Sequence, residues 1–198
     1  MNSSLISRFI SDDRLSSYKN IVEYEENLLF SKKSYIPLSI LEVALRNSID
    51  ILLSEKVDYY WYEKNDFLTK DSKRKVLQAI ELLAIKKEKI TKHKIIAELS
   101  FGFWVNLFKK PYEKKLRIND LKKIFPNLPS KNDKLVNRES IFKELNHIRN
   151  FRNRVFHHEK VLNRDDYNLI FDEIDEILSY FDNEIYLFTK RVNKISNG

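Results

Sequence analysis

The stretch LNHIRNFRNRVFHHE, residues 145–159, decides how the rest of the chain is interpreted. It holds three of the four histidines, together with three arginines and three asparagines. On a helix with about 100° between residues, one broad apolar arc contains Leu145, Ile148, Phe151, Val155 and Phe156. Arg152 falls inside that arc. The pattern predicts an amphipathic helix with an arginine at the edge of its buried face, where it needs a polar partner.

A polar strip is expected beside the apolar arc. Arg149, Asn153 and His157 are spaced four residues apart and therefore stack on one face of the helix, with Asn146 and Asn150 next to them. His147 projects to the opposite side and is interpreted as an ordinary helix residue. The strip, with Arg152 beside it, is the candidate site.

Glycine usage sets the fold class. The chain has two glycines, Gly102 and Gly198, and four prolines in 198 residues. Hairpins and phosphate-binding loops need several turn glycines, so the sequence predicts an all-α protein and excludes a Rossmann fold or a P-loop. We expect one domain over residues 1–198, with five to seven helices and a four-helix-bundle-like centre.

Individual helices follow from apolar spacing and caps. The sequence predicts helices over residues 14–32, 37–57, 92–108, 138–158 and 164–194, the fourth of which carries the motif. The first ends at Ser31-Lys-Lys-Ser, and Thr91 caps the third. One more helix, capped by Asp71, is predicted between the second and the third. Residues 57–68 read as an irregular aromatic connector, and Gly102 as a point where another segment approaches closely. Residues 109–134 read as a basic irregular insertion with one short helix, INDLKKIF.

Cysteine is absent from the chain, which is typical of the reducing cytosol. The first residues lack the charge and apolar pattern of a signal peptide, and no apolar run approaches 18 residues. We therefore expect a soluble cytoplasmic protein that does not enter a membrane.

Positive charge is concentrated in one segment. The net charge is +7, and residues 86–123 hold twelve basic and four acidic residues, which leaves −1 for the remainder. Such asymmetry favours a nucleic-acid-facing surface, although lysines also simply solvate helices. The predicted RNA-binding residues are Lys109, Lys110, Lys114, Lys115, Arg117, Lys122 and Lys123.

Three kinds of functional site are considered for the Arg, Asn and His residues of 145–159. A metal site is disfavoured because His157 and His158 project about 100° apart without a suitably spaced third ligand. A serine nucleophile would need a glycine elbow, which the chain lacks. Metal-independent RNA cleavage fits better, since the 2′-OH of the substrate is the nucleophile, histidine supplies acid–base chemistry and arginine neutralises the phosphate.

The residues resemble a known family. Arg152-Asn153, three residues, then His157-His158 is similar to the HEPN ribonuclease signature. Together with ILEVALRNSID (40–50) followed by Trp61-Tyr62, and ELSFGFW (98–104), it resembles the Abi-like proteins of bacterial abortive infection.

The resemblance implies an HEPN-like helical bundle that cleaves RNA in antiphage defence without a cofactor. Arg152 and His157 would be the catalytic pair, with Asn153 orienting them. His158 also satisfies the spacing, and Arg149, Glu42 and Arg46 are possible supporting residues. In one HEPN subclass, an antitoxin modifies a tyrosine that lies two residues after the histidine. In this chain that position holds Glu159 when counted from His157, or Lys160 when counted from His158.

A single arginine–histidine set in one chain implies a partner. Phosphoryl chemistry needs more than one cation and separate acid and base positions, so we expect a homodimer with the site at its interface. A regulatory RNA or an antitoxin is a further possible partner. The alternatives are a non-catalytic RNA-binding module, or a protein-interaction module, of the same fold.

Overall fold

The computed structural model describes residues 3–64 and 66–196, and in these residues all regular structure is helical. The prediction of an all-α protein is confirmed. The five remaining residues of the predicted domain 1–198 lie outside the described part. The α-helices are α1 (Ser3–Phe9), α2 (Asp12–Leu15), α3 (Ile21–Lys56), α4 (Lys70–Ile85), α5 (Lys92–Glu98), α6 (Phe101–Asn106), α7 (Ile118–Ile124), α8 (Arg138–Phe156), α9 (Ile170–Phe181) and α10 (Asn183–Ser196).

Helix α3 forms the centre of the bundle and corrects one prediction. It continues without interruption through Ser31-Lys-Lys-Ser, where the sequence predicted a break. The hydroxyls of Ser31 and Ser34 donate to the carbonyls of Asn27 (2.8 Å) and Ser31 (2.7 Å), so both serines bond within the helix. Pro37 is buried inside the helix, and tertiary packing outweighs its missing amide donor.

Two predicted helices are each divided in the structure. Residues 92–108 form α5 and α6, because Leu99 adopts an extended conformation (ψ 126°). Residues 164–194 form a 3₁₀ turn (Asp165–Tyr167), α9 and α10. Asp182 is extended, and its carboxylate accepts a hydrogen bond from the Glu184 amide (2.7 Å), as an N-cap does.

The caps before α4 and α5 test two further predictions. The Thr91 hydroxyl accepts from the Lys94 amide (3.4 Å), which confirms the predicted cap of α5. Asp71 does not cap α4, because Thr69 accepts from the Ser72 amide (3.3 Å) and the helix begins at Lys70. Asp71 instead lies in the first turn, where a carboxylate interacts favourably with the helix dipole.

One apolar core joins the helices. Helix α3 packs on α6, α7, α9 and α10, and α8 packs on α6 and α9. Trp61 of the irregular connector and Trp104 of α6 are both buried and contact each other, with ring centroids 6.0 Å apart. The basic segment also enters this core, through Tyr112, Leu116, Leu121, Ile124 and Phe125. In the described part of the chain, no helix combines the length and apolarity needed to span a bilayer.

Candidate functional site

The site predicted from the sequence lies at the carboxyl end of α8. The amides of His158 and Glu159 donate to the carbonyls of Val155 (3.0 Å) and Arg154 (2.9 Å), the hydrogen-bond pattern of a Schellman cap. His158 has φ 57°, the left-handed conformation that glycine usually provides at this position. The sequence places an imidazole there, so the two adjacent histidines occupy different backbone positions: His157 caps the helix after its last residue, Phe156, and His158 reverses the chain.

Arg152 lies between α8 and α3. Its Nη2 is 3.5 Å from Glu42 Oε2, and its guanidinium carbon is 4.4 Å from the centre of the Phe156 ring. Its Nε is buried and has no hydrogen-bond partner in the described residues. A single long contact with Glu42 positions the arginine without occupying its five donors, which suits a group that binds an anion.

Glu42 therefore pairs across helices instead of along α3. Glu42 and Arg46 are four residues apart, a spacing that allows an ion pair along the helix, but the Arg46 Nε donates to Asn47 (3.3 Å). The structure brings Glu42 to Arg152 and gives Arg46 a different contact, and a supporting role for either residue stays a prediction.

Arg149 crosses the surface of α6. Its Cδ lies 3.4 Å from the position that a Cβ on Gly102 would occupy, so α8 approaches α6 closely at this glycine. Its Nη2 makes one long contact with Asn150 (3.5 Å), and its Nε is buried without a partner among the described residues. The side chain is held by packing against α6.

Asn153 faces away from Arg152, toward a different group of side chains. It lines a groove of about 470 Å³ that includes His147, Asn150, Arg154 and Tyr167. The helical projection had placed His147 opposite the strip, whereas the structure puts both residues in one groove because the loop after α8 folds back beside them. The predicted strip is thus not one surface in the structure, because Arg149 packs on α6 whereas Asn150 and Asn153 line this groove.

His147 is firmly held in that groove. Its Nδ1 lies 2.6 Å from Glu173 Oε2 of α9, and its ring stacks on Tyr167 at 5.4 Å. Glu173 is 26 residues away along the chain, so the sequence gave no local signal for this pair. The carboxylate fixes the orientation of the imidazole, as in sites where a histidine moves protons.

The predicted RNA-binding residues are divided by exposure. Lys115 is half-buried, and its ammonium donates to the carbonyls of Asp66 (2.6 Å) and Phe67 (2.7 Å), so it has a structural contact. The other six are exposed: Lys109, Lys110, Lys114, Arg117, Lys122 and Lys123.

Two side chains of α3 fix the loop that follows α8. The buried Asn27 accepts at Oδ1 from the amides of Val161 (2.8 Å) and Leu162 (3.0 Å). Glu23 accepts from the Lys19 amide (2.6 Å), and its other oxygen lies 2.9 Å from Lys160 Nζ. The Lys19 amide, followed by Lys160, lowers the pKa of Glu23 to about 2. These contacts anchor the turn that carries His157 and His158.

Neither a metal-binding cluster in the described residues nor a known relative accompanies this site. Among the described residues, no group of three or more His, Cys, Asp or Glu side chains is arranged to hold a metal ion. Comparison with known proteins found no matching protein family, no matching curated protein and no matching solved structure.

Proposed function

We propose that this chain is a metal-independent endoribonuclease of the HEPN type, acting in bacterial antiphage abortive infection. The observation that supports the proposal is the end of α8. There Glu42 positions Arg152 through one long contact and leaves other guanidinium donors available. The exposed His157 follows within one and a half helical turns. An arginine and a histidine in this relation supply charge neutralisation and proton transfer.

The residues have distinct roles in the proposed reaction. Arg152 binds the non-bridging phosphate oxygens and stabilises the charge that develops on them. His157 removes the proton of the 2′-OH, which attacks the adjacent phosphorus while the bond to the 5′-oxygen breaks. The leaving oxygen takes a proton from a second acid. The products are a 2′,3′-cyclic phosphate and a 5′-hydroxyl.

The second acid is assigned to another copy of the chain. Beside Arg152, the exposed rings of Tyr35 on α3 and Phe156 on α8 contact each other at 6.2 Å. Aromatic and arginine side chains on one surface have the composition of a protein interface. In a twofold dimer through this face, His157 of the partner subunit would protonate the leaving group.

The decisive experiment compares single variants on labelled single-stranded RNA in the presence of EDTA. Wild-type protein should cleave and leave 2′,3′-cyclic ends, and Arg152→Ala and His157→Ala should each reduce the rate by at least about 100-fold. His158→Gly removes the second imidazole and suits φ 57°, so it preserves the turn. Full activity of this variant assigns catalysis to His157.

Circular dichroism and the melting temperature should show that each variant is folded. Undiminished cleavage by both Arg152→Ala and His157→Ala would contradict the proposal, as would loss of wild-type cleavage in EDTA. A protein that retains RNA in a shift assay without shortening it would instead be a non-catalytic RNA-binding module. The six exposed cations of residues 109–123 favour that second candidate.

A further inference from the structure

A second cavity lies on the far side of the turn that ends α8. It has a volume of about 520 Å³ and lies between the segment around α2 and the loop that follows α8. Its wall carries four cationic side chains, Arg14, Arg154, Lys160 and Arg164, and two carboxylates, Asp13 and Glu159. The lining therefore has a net charge of +2, although these residues lie outside the basic segment of the chain.

The cations are held in place by contacts with the surrounding chain. Arg154 pairs with Glu159 (2.6 Å), and Arg164 pairs with Asp166 (3.0 Å). Lys160 donates to the Ser17 carbonyl (2.9 Å) and pairs with Glu23 outside the cavity lining. Ordered cations lose less side-chain entropy when a ligand binds than mobile surface lysines do.

Arg14 differs from the other three cations. Its Nη1 donates to the carbonyl of His158, and among the described residues no carboxylate pairs with it. Asp13 lines the same cavity but forms no ion pair with Arg14 in the described residues, so the remaining donors of Arg14 are available. Because the His158 carbonyl belongs to the turn that ends α8, Arg14 also joins this cavity to the candidate catalytic turn.

The wall of the cavity contains unsatisfied donors. Tyr18 is 8% exposed, its hydroxyl has no hydrogen-bond partner among the described residues, and the same is true of the Arg164 Nε. Lys160 Nζ lies 5.2 Å from the centre of the Tyr18 ring. The Tyr18 hydroxyl and the Arg164 Nε are both buried, and an acceptor oxygen that reached them would satisfy a donor that the folded chain leaves unpaired.

We propose that this cavity is a phosphate-binding site. Guanidinium groups bind phosphate oxygens through paired donors, and three of them, Arg14, Arg154 and Arg164, line this cavity. A phosphate offers them more acceptor oxygens than a carboxylate does. Building on the proposed function, the occupant in the cell is a phosphate of the RNA strand next to the cleaved bond. Binding of a phosphate group by itself does not require that the chain cleaves RNA.

Calorimetric titration of the full chain with inorganic phosphate, and separately with AMP, tests the site. Both should bind with one site per chain, and acetate at the same concentration should not. Arg14→Gln and Arg164→Gln should each weaken binding about tenfold, the loss expected for one charge-assisted hydrogen bond. Arg74→Gln is the matched control, since Arg74 is exposed on α4 and pairs with Asp71.

Absence of binding to wild-type protein, or equal weakening by Arg74→Gln, would overturn the site. Oligonucleotides with and without a 5′-phosphate identify the source of the phosphate. Tighter binding of the phosphorylated strand indicates that the site takes a terminal phosphate. Equal binding of both strands, weakened by Arg14→Gln, indicates that it takes an internal phosphate. A wild-type chain that cleaves RNA but binds neither phosphate nor AMP would refute this site alone. A chain that binds phosphate but does not cleave would refute the nuclease alone.

Discussion

His158 and Asn27 show how single residues define the candidate site. His158 has φ 57°, which costs a residue other than glycine roughly 1–3 kcal/mol, and contacts elsewhere must offset this cost. Its carbonyl accepts from Arg14, and the loop that begins at Glu159 is held by Asn27. The strained turn is therefore maintained by contacts with distant parts of the chain.

Asn27→Ala should lower the free energy of unfolding by about 2–4 kcal/mol, because the Val161 and Leu162 amides would lose their acceptor in a buried environment. Urea denaturation followed by circular dichroism measures this loss. Asn132→Ala, at an exposed asparagine, is the control and should change stability by less than about 0.5 kcal/mol. An equally small effect of Asn27→Ala would show that water replaces the side chain.

At the scale of elements, hydrogen bonds at its two ends determine where α8 begins and stops. Asn137 accepts from the amides of Glu139 (2.9 Å) and Ser140 (3.0 Å), and the Ser140 hydroxyl accepts from the Asn137 amide (3.0 Å), a reciprocal cap that begins the helix. The predicted start at 138 is confirmed, and the helix ends at Phe156 instead of His158. At that end, α3 supports the following loop through Glu23 and Asn27.

The contact between α3 and this loop should depend on pH. The pKa of Glu23 is lowered to about 2 in the folded protein, below the value of about 4.3 in an unfolded chain. The unfolded state therefore binds the proton first, so the stabilisation is present above about pH 4 and is lost as the pH falls toward about 2. Glu23→Gln should be less stable than wild type near pH 5, and the difference should shrink by about pH 3 in urea denaturation. A difference that stays constant over this range would contradict the assignment.

At the scale of the molecule, the proposed dimer uses the surface of α3 and α8 beside Arg152. Tyr35 is 58% exposed, Val43 43% and Phe156 41%, and the rings of Tyr35 and Phe156 contact each other beside Arg152. Exposed apolar side chains that share one surface indicate an interaction site. Val43 is adjacent to Glu42 and about two helical turns from Tyr35. A second copy covering this face would bury these side chains and bring two arginine–histidine sets together.

Light scattering should give wild-type protein twice the chain mass of 23.8 kDa. Val43→Glu adds a charge to the proposed interface, so it should produce monomers and reduce RNA cleavage by at least about tenfold. Leu77→Glu, at an exposed apolar position of α4, should leave both properties unchanged. A Val43→Glu variant that remains dimeric would exclude this face as the interface.

The sequence by itself determined the helical class, the cap at Thr91 and the burial of Leu145, Ile148 and Phe151 on α8, although Phe156 of the same predicted arc is exposed. These features depend on local spacing and on side chains within four residues of the amides they cap. Residue spacing also identified the strip Arg149, Asn153 and His157 beside Arg152, and the family resemblance selected Arg152, Asn153 and His157 from it; their role remains a prediction. Their partners could not be predicted in the same way, apart from Glu42, which the resemblance suggested.

Only the tertiary structure decided which side chains meet. His147 pairs with Glu173, Arg14 reaches the His158 carbonyl, and Asn27 holds the loop at Val161, over separations of 26, 144 and 134 residues. The same packing kept α3 continuous through Pro37 and interrupted the last predicted helix at Asp182. Burial energy over a whole helix exceeds the preference of any one residue, and therefore helix bounds and long-range pairs depend on the assembled core.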